Sequence, residues 1–179
     1  INLFMSSPCI RKSEGKSLGN LLGCICFSVQ QKSVNLAVGL HLIISIGKGC
    51  RIGPSTRIKD SNIGDRTEVQ NSVVLESSIG NDTKVGPFAY IRPDSNIGSK
   101  CKVGDFVEVK NSSMGDGTKA AHLTYIGDSD VGRDVNLGCG VVFVNYDGTN
   151  KHRSVVEDGA FIGCNTNLVS PVTVEKGAY

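Results

Sequence analysis

Three groups of side chains in this sequence are of the types that bind anions or transfer protons. Arg92 and Lys110 each follow an aliphatic residue and stand 18 positions apart, and two cations held close together repel unless an anion bridges them. His122 follows two alanines, and imidazole titrates near neutral pH, so it is a candidate general base. Residues 145–151 (NYDGTNK) form a polar segment of turn formers. A solvated pair of charges, a structural histidine and an ordinary loop are the alternatives that these residues leave open.

A six-residue repeat positions these side chains. Over residues 46–137 an apolar residue recurs every five or six positions, and the pattern resumes at Val156 after an interruption that contains the polar segment. Glycine follows the apolar residue in twelve of these units, and the fourth residue after it is usually small or β-branched. This period fits neither an amphipathic helix nor a single strand. It is typical of a solenoid of short strands and turns.

The repeat predicts an all-β fold in which three units close one triangular coil of about 18 residues and parallel strands pair between coils. The aliphatic and small positions point inward, and we expect glycine and polar residues at corners that need positive φ. In this register Arg92 and Lys110 occupy the same corner position, one coil apart. His122 and Cys139 are also one coil apart. The polar segment becomes a single extruded loop, and rigid coils are well suited to holding a functional loop in place.

Composition and length restrict the class of protein. The 179 residues correspond to about one domain, and the net charge of +2 is spread over scattered residues of both signs, which disfavours a nucleic-acid or membrane-surface partner. The longest apolar run, residues 34–46, is too short for a membrane helix, and there is no convincing signal peptide. Seven cysteines without CxxC spacing indicate a reducing compartment, so we expect a cytoplasmic location.

The chain divides into two unequal parts. Residues 1–44 show no period and are expected to form an N-terminal extension outside the repeat, of uncertain structure. Residues 45–179 are expected to form the β-helix domain. The sequence begins with Ile and stops at Tyr179 inside a repeat, so we expect a fragment of a longer protein, truncated at its C-terminus.

Residues 46–179 resemble the acetyltransferase domain of the bifunctional N-acetylglucosamine-1-phosphate uridyltransferase / glucosamine-1-phosphate acetyltransferase family. The segments that resemble it, in the family's order, are VGPFAYIRP, VGDFVEVKNS, KAAHLTYIGD, VNLGCG, VNYDGTNKH and FIGCNTNLVSPVTVEKGAY. Single hexapeptides are unspecific, whereas HLTY followed by NYDG is specific to this family. The resemblance implies a left-handed parallel β-helix. The family's nucleotide-sugar domain, with its GxGTRM-type loop, has no counterpart in this sequence, so we expect no uridyltransferase activity.

The resemblance also implies a reaction and its catalytic residues. His122 would be the general base that takes a proton from the amine of glucosamine 1-phosphate as it attacks the thioester of acetyl-CoA, with Glu108 as the carboxylate that orients it. The product would be N-acetylglucosamine 1-phosphate, which leads to UDP-N-acetylglucosamine and the cell envelope. Acetyl-CoA is the expected cosubstrate, and no metal is expected for acetyl transfer.

The remaining site residues follow from the same resemblance. The residues that match the family's sugar-phosphate ligands are Arg92, Lys110, Tyr125, Asn136 and Lys151. The residues that match its acetyl-CoA side are Cys139, Asn145, Tyr146 and Cys164. The two cysteines stand where the family has small residues that contact the coenzyme through the backbone, where an N–H suits a developing oxyanion. The family's active site lies between the subunits of a homotrimer, so the extruded loop would reach a neighbouring protomer.

Three alternatives remain beside this interpretation. Another hexapeptide acyltransferase, acting on a different amino sugar or on serine, would have a different loop and no Arg92/Lys110 pair. A γ-type carbonic anhydrase needs three zinc histidines, and only His122 lies in the repeat, with His152 beside it. A non-catalytic β-helix scaffold would not need a polar loop beside the histidine-bearing coil.

Overall fold

Residues 44–179 of the chain are described by a computed structural model, and this part consists of twenty-two short strands joined by turns, without a helix. Successive strands fall into three parallel sheets in rotation, so that three strands make one coil. The first sheet contains β1 (Ser45–Ile46), β4 (Asn62–Ile63), β7 (Ser78–Ile79), β10 (Asn96–Ile97), β13 (Ser113–Met114), β16 (Ser129–Val131), β19 (Ser154–Val156) and β22 (Thr173–Val174). The second contains β2 (Arg51–Ile52), β5 (Glu68–Val69), β8 (Lys84–Val85), β11 (Lys102–Asp105), β14 (Lys119–His122), β17 (Asn136–Leu137) and β20 (Phe161–Ile162). The third contains β3 (Arg57–Lys59), β6 (Val73–Leu75), β9 (Tyr90–Ile91), β12 (Glu108–Lys110), β15 (Tyr125–Gly127), β18 (Val142–Val144) and β21 (Asn167–Val169).

The core consists of aliphatic side chains stacked in register between coils. In the third sheet Val74 pairs with Ile91, and Ile91 pairs with Val109, and all three side chains are fully buried. Equivalent stacks run along the other two sheets. Burying a side chain of this size contributes about 1.5–3 kcal/mol relative to exposing it, so the repeated apolar position stabilises every coil against its neighbours.

Small hydroxyl residues close the corners inside the helix. Thr83 is completely buried, and its hydroxyl donates to the carbonyl of Gly98 at 2.8 Å while accepting from the amide of Cys101 at 3.1 Å. Thr67 does the same one coil earlier, with the carbonyl of Gly80 at 2.7 Å. The hydroxyl therefore satisfies two backbone groups where a coil turns, as buried polar groups require. The predicted inward small position is confirmed.

Glycine and polar residues occupy corners with positive φ, as expected, for example Gly117 (76°). The glycine that directly follows the inward apolar residue has a different role. Positive φ occurs two residues later, for example at Arg66 (55°) and Asp82 (56°). The glycine itself is needed because consecutive coils approach closely: a Cβ at Gly115 would lie 2.6 Å from the carbonyl carbon of Gly132. The side chains of Arg66 and Asp82 face solvent at their corners, whereas a side chain at Gly115 would meet the backbone of the next coil.

The interruption of the repeat is shorter than the sequence suggests. Phe143 is fully buried in β18 and pairs with Leu168 of the next coil, so it continues the aliphatic column of the third sheet. The chain leaves the helix only after Val144 and returns at Ser154. An aromatic residue therefore fills an inward position that the aliphatic pattern alone did not identify.

The observed architecture confirms the predicted all-β parallel β-helix of hexapeptide repeats with one extruded loop. Within residues 44–179 the structure contains no helix long and apolar enough to cross a membrane. The expected N-terminal extension, residues 1–44, lies outside the described residues except for its last position.

Candidate active site

Four side chains occupy equivalent turn positions on four consecutive coils, at the corner that joins the second sheet to the third. They form the histidine column, which consists of Asp105, His122, Cys139 and Cys164. Asp105 pairs directly with His122 in the strand register. The following residue has positive φ in each of the four turns, so the turns share one conformation. The predicted stacking of His122 and Cys139 agrees with this register.

The carboxylate that contacts His122 is Asp105 and not Glu108. Nδ1 of His122 lies 2.8 Å from Oδ1 of Asp105, and both side chains remain partly exposed. Glu108 lies in the third sheet, where Oε1 accepts a hydrogen bond from Nη1 of Arg92 at 2.7 Å. The expected role of Glu108 in orienting His122 is therefore corrected, because the turn between them directs their side chains to different sheets.

Arg92 and Lys110 are stacked one coil apart, as the register predicts. The amide of Arg92 donates to the carbonyl of Val109 at 2.8 Å. The neighbouring Lys110 ammonium lowers the pKa of Lys151, and Arg92 adds to this effect, since cations held close together repel. Arg92, Lys110 and Lys151, which we call the lysine cluster, thus lie near one another although Lys151 comes from the extruded loop.

A nearly buried carboxylate that the sequence interpretation missed balances part of this charge. Oδ2 of Asp128 lies 3.2 Å from Nζ of Lys110, and Asp128 also accepts hydrogen bonds from the amide groups of Asn111, at 2.6 Å, and Asn145. Burial acts to raise the pKa of Asp128, but these hydrogen bonds outweigh it and lower the pKa. Burial also opposes the charge on Lys110, while its ion pair with Asp128 raises its pKa. Asp128 thus fixes Lys110 and leaves the cluster with excess positive charge.

The extruded loop is held by its own hydrogen bonds. Oδ1 of Asp147 accepts from the amides of Thr149 and Asn150 at 2.7 and 2.6 Å, and Oδ2 lies 2.7 Å from Nε2 of His152. The Asn150 amide, then His152 and Thr149, hold the pKa of Asp147 well below its usual range. The hydroxyl of the exposed Tyr146 donates to the carbonyl of Gly148 at 2.6 Å. The loop therefore presents Tyr146 and Lys151 on a preformed turn.

The remaining predicted site residues, Tyr125 and Asn136, lie in different sheets. Tyr125 lies in β15, and its hydroxyl is 3.5 Å from the amide nitrogen of the buried Asn145, beside the lysine cluster. Gly127 makes room for this contact, because a Cβ there would lie 2.6 Å from Cζ of Tyr125. Asn136 lies in the second sheet, just before the turn of Cys139.

The histidine column and the lysine cluster lie at opposite ends of the third-sheet strands. The strand β15, Tyr125–Gly127, separates them, and three residues of strand span about 10 Å. Among the hydrogen bonds and ion pairs of residues 44–179, none joins His122 to the lysine cluster. One chain therefore carries two separate groups, the histidine column and the lysine cluster, which we call the two half-sites.

Known proteins resemble this chain in both sequence and repeat pattern. The family described as bacterial transferase hexapeptide (six repeats) matches residues 76–111. The bifunctional protein GlmU of Acetivibrio thermocellus is 63% identical over 130 residues, which cover 73% of this chain and 28% of that protein. Its counterpart in Clostridium beijerinckii is 60% identical over 134 residues, 75% of this chain and 30% of that protein. Residues 44–179 form a hexapeptide-repeat domain.

This hexapeptide-repeat domain accounts for only part of those proteins, since the chain spans under a third of the length of the two relatives. Among solved structures, LpxA from Acinetobacter baumannii is 17% identical, covers 74% of this chain and 64% of its own, and has a TM-score of 0.46.

Register is the signal that identifies the residues missed in the sequence. Asp105 stands 17 residues before His122 and Asp128 stands 17 residues after Asn111, and each spacing places the two side chains on adjacent coils of the hexapeptide-repeat domain. Among residues 44–179 no group of three or more metal-binding side chains is found.

Proposed function

We propose that this domain transfers an acetyl group from acetyl-CoA to the amine of glucosamine 1-phosphate. The observation that carries the proposal is a carboxylate-held histidine on the same β-helix as a cluster of three cations. The product is N-acetylglucosamine 1-phosphate, a precursor of UDP-N-acetylglucosamine and the cell envelope. Relatives at 60–63% identity that carry the name bifunctional protein GlmU support an acetyltransferase of the hexapeptide type.

His122 acts as the general base through Nε2. The backbone amide of Asp105, together with the His122 ring, lowers the pKa of the Asp105 carboxyl, so this group is ionised at neutral pH and only accepts hydrogen bonds. Nδ1 of His122 must then carry the proton in their 2.8 Å contact, which leaves the lone pair of neutral imidazole on Nε2. The substrate amine loses its proton to Nε2 as the nitrogen attacks the thioester carbonyl.

The lysine cluster binds the phosphate of the substrate. Lys110 is held by Asp128, while Lys151 reaches the same region from the loop. Two phosphate charges relieve the repulsion between the cations, and Arg92 offers a planar fork that suits phosphate oxygens. Tyr125 and Asn136 complete the sugar side, in keeping with the family resemblance. A bound phosphate is accordingly expected to raise the pKa of Lys151.

Acetyl-CoA binds along the upper part of the histidine column. Cys139 and Cys164 follow His122 on the next two coils. This register supports a role for their backbones in holding a thioester next to the base, with Asn145 and Tyr146 on the coenzyme side. The free coenzyme thiol leaves after the tetrahedral intermediate collapses. The same coenzyme and the free thiols favour a cytoplasmic location.

A homotrimer brings the two half-sites together. The residues that follow Pro87, Asp105 and His122 in their turns are Phe88, Phe106 and Leu123, and each side chain is more than half exposed. The rings of Phe88 and Phe106 stack at 5.5 Å. This apolar strip runs directly beside the histidine column, and covering it with a second copy excludes water from apolar surface. The neighbour's lysine cluster then completes the site of His122.

Thiol release from acetyl-CoA in the presence of glucosamine 1-phosphate tests the function on the purified chain. We expect His122→Ala to lower kcat by about 10²–10⁴-fold, the usual contribution of a general base, with little change in KM. Lys110→Met is expected to raise the KM for the sugar phosphate. Arg57→Met, which removes an exposed cation at the far end of the third sheet, serves as the matched control and keeps parent kinetics.

Two outcomes would contradict the proposal in different ways. Equal thiol release by the parent and His122→Ala would remove His122 from the mechanism. Faster reaction with glucosamine than with glucosamine 1-phosphate would remove the phosphate role of the lysine cluster and favour a hexapeptide acyltransferase of another amino sugar. Absence of any thiol release from the folded parent chain would favour a non-catalytic β-helix.

A further inference from the structure

Two cysteines at the C-terminal end of the histidine column are accessible and lie at equivalent positions on adjacent coils. Leu137 pairs with Ile162 in the second sheet, so Cys139 and Cys164, two residues later in each case, stack on adjacent coils. Cys164 is exposed and Cys139 is half-buried, whereas Cys50 and Cys101 are buried in the core. We propose that Cys139 and Cys164 form a dithiol that exchanges with a small-molecule disulfide and closes into an intramolecular disulfide.

The stacking distance permits this bond. Adjacent coils lie about 4.8 Å apart, and disulfides join residues whose Cα atoms are roughly 4.4–6.8 Å apart. The turns of the two cysteines approach closely, because the amide of Asn165 donates to the carbonyl of Cys139 at 2.8 Å, and a Cβ at Gly138 would lie 2.7 Å from the amide nitrogen of Cys164.

The direction of the side chains can be inferred from equivalent turns. At the corner that joins the first sheet to the second, Oδ1 of Asp116 accepts from the amide of Ser99, the equivalent residue one coil earlier, at 2.6 Å. Within the histidine column itself, the His122 ring contacts Asp105 of the preceding coil. A side chain at this turn position therefore extends toward the equivalent turn of the preceding coil. Cys164 is directed in the same way toward Cys139.

The chemistry is two successive thiol–disulfide exchanges. The more exposed Cys164 attacks one sulfur of a disulfide RSSR as its thiolate, the S–S bond breaks, and one RS⁻ leaves. The Cys139 thiolate then attacks Sγ of Cys164 in the mixed disulfide and expels the second RS⁻. Two cysteine thiols are oxidised, one disulfide is reduced to two thiols, and the two protons pass to the released thiolates.

Coenzyme A disulfide is the oxidant that best fits this place, a choice that rests on the proposed function. Each half of this disulfide is coenzyme A, the thiol that acetyl transfer releases beside Cys139 and Cys164. Binding of one half in the coenzyme site would hold the disulfide near Cys164 and raise its effective concentration for attack by the Cys164 thiolate. The closed disulfide would then occupy the part of the column that faces the thioester and stop acetyl transfer.

Peptide mapping identifies the bond directly. Trypsin places Cys139 in residues 134–151 and Cys164 in residues 154–176, and neither peptide contains another cysteine. After incubation of the reduced chain with coenzyme A disulfide, we expect these two peptides to be linked, and dithiothreitol to separate them. Cys139→Ser is expected to stop at a stable coenzyme adduct on Cys164, while Cys101→Ser, at a buried cysteine, forms the linked peptides as the parent does.

The outcomes separate this inference from the proposed function. Absence of linked peptides 134–151 and 154–176 in a chain that remains folded by circular dichroism would overturn the dithiol. We expect the linked peptides to form severalfold faster with coenzyme A disulfide than with glutathione disulfide. Equal rates of linkage would overturn the coenzyme assignment. Because the linkage is read by mass, it stands or falls whether or not the chain transfers acetyl groups.

Discussion

At the residue scale, Asp105 determines which nitrogen of His122 is available for chemistry. An ionised carboxylate at 2.8 Å from Nδ1 selects the tautomer with its lone pair on Nε2. Asp105 does not touch the substrate in the proposed mechanism, so it is a positioning residue. Glu108 has a separate role, since its contact with Arg92 fixes one of the cations of the lysine cluster.

Removal of the Asp105 carboxylate is expected to lower kcat about tenfold, less than the 10²–10⁴-fold that a general base itself contributes, and to leave KM nearly unchanged. Asp105→Ala loses the acceptor, whereas Asp105→Asn keeps a carbonyl oxygen for Nδ1–H and should restore most of the activity. The ¹⁵N chemical shifts of the His122 ring report the tautomer independently. They are expected to show a mixture of tautomers in Asp105→Ala only.

Asp116→Ala is the matched control for this substitution. Asp116 occupies the equivalent turn position at another corner, where it bonds the amide of Ser99 and contacts no histidine. The same loss of kcat in both variants would mean that Asp105 acts only by stabilising its turn.

At the element scale, the repeated glycine shows how closely consecutive coils pack. Backbone atoms of the next coil lie where a side chain would begin, as at Gly115. At Gly163, which follows Ile162 in the same repeat position, the nearest atom to an added Cβ is Oγ1 of Thr166, at 3.9 Å. An added Cβ therefore meets the backbone of another coil at Gly115 but not at Gly163.

Gly115→Ala is expected to lower the free energy of unfolding by about 1–3 kcal/mol, because overpacking must shift the backbone of the next coil. Gly163→Ala, with an ordinary van der Waals contact, should change it by less than about 0.5 kcal/mol. Urea unfolding of both variants measures the difference. Equal destabilisation would show that the repeat selects glycine for another reason than close approach.

Asp128, which directly follows the third-sheet strand β15, makes a pH-dependent contribution to the free energy of unfolding. Hydrogen bonds lower its folded pKa, so its contribution is present above the ordinary carboxyl pKa of about 3.9 and is lost as the pH falls through the lower folded value. We expect Asp128→Asn to lower the free energy of unfolding by about 1–3 kcal/mol at pH 7, and the difference from the parent to shrink toward zero in strong acid.

Urea unfolding between pH 7 and pH 2 checks this expectation. Asp94→Asn replaces an exposed corner carboxylate at positive φ, where asparagine is well tolerated, and should leave the pH dependence unchanged. A constant difference between the parent and Asp128→Asn at every pH would show that the Asp128 charge makes no contribution.

At the scale of the whole molecule, the separation of the two half-sites makes the proposed activity depend on the proposed assembly. The apolar strip of Phe88, Phe106 and Leu123 lies beside His122, and its side chains are more than half exposed. In a closed cyclic assembly each copy offers His122 to one neighbour and its lysine cluster to the other. The same contact would bury the strip and complete each site.

Phe106→Asp is therefore expected to convert the proposed trimer to a monomer, as measured by light scattering, and to abolish thiol release. Phe161→Asp changes an exposed aromatic residue outside the strip and should leave the mass of the assembly unchanged. A parent chain that is monomeric and active would overturn the shared site.

Mixing inactive variants tests the sharing of residues directly. When His122→Ala and Lys110→Met chains are refolded together in equal amounts, about a quarter of the interfaces in a cyclic trimer pair an intact His122 with an intact Lys110. About a quarter of the parent activity should return. No recovery, in mixed trimers shown to have formed, would place both residues of a site in one chain.

The sequence by itself determined the architecture, because a six-residue period with buried aliphatic positions can be satisfied in every unit only by coils that stack. It also indicated the stacked cations, the candidate base and the extruded loop. Residues such as Ile91 and Val109 were placed inward by their type and spacing alone, and the structure buries both fully.

Only the tertiary structure decided which side chains meet. Coils differ in length, since register partners are 17 residues apart at Asp105 and His122, 18 apart at Tyr90 and Glu108, and 25 apart at Val131 and Val156, across the loop. An error of one residue in the assumed coil length moves a side chain to another turn position or another sheet. The partner of His122, the buried carboxylate under Lys110 and the alignment of Cys139 with Cys164 were therefore fixed by the register of the hydrogen-bonded coils, which local sequence pattern does not specify.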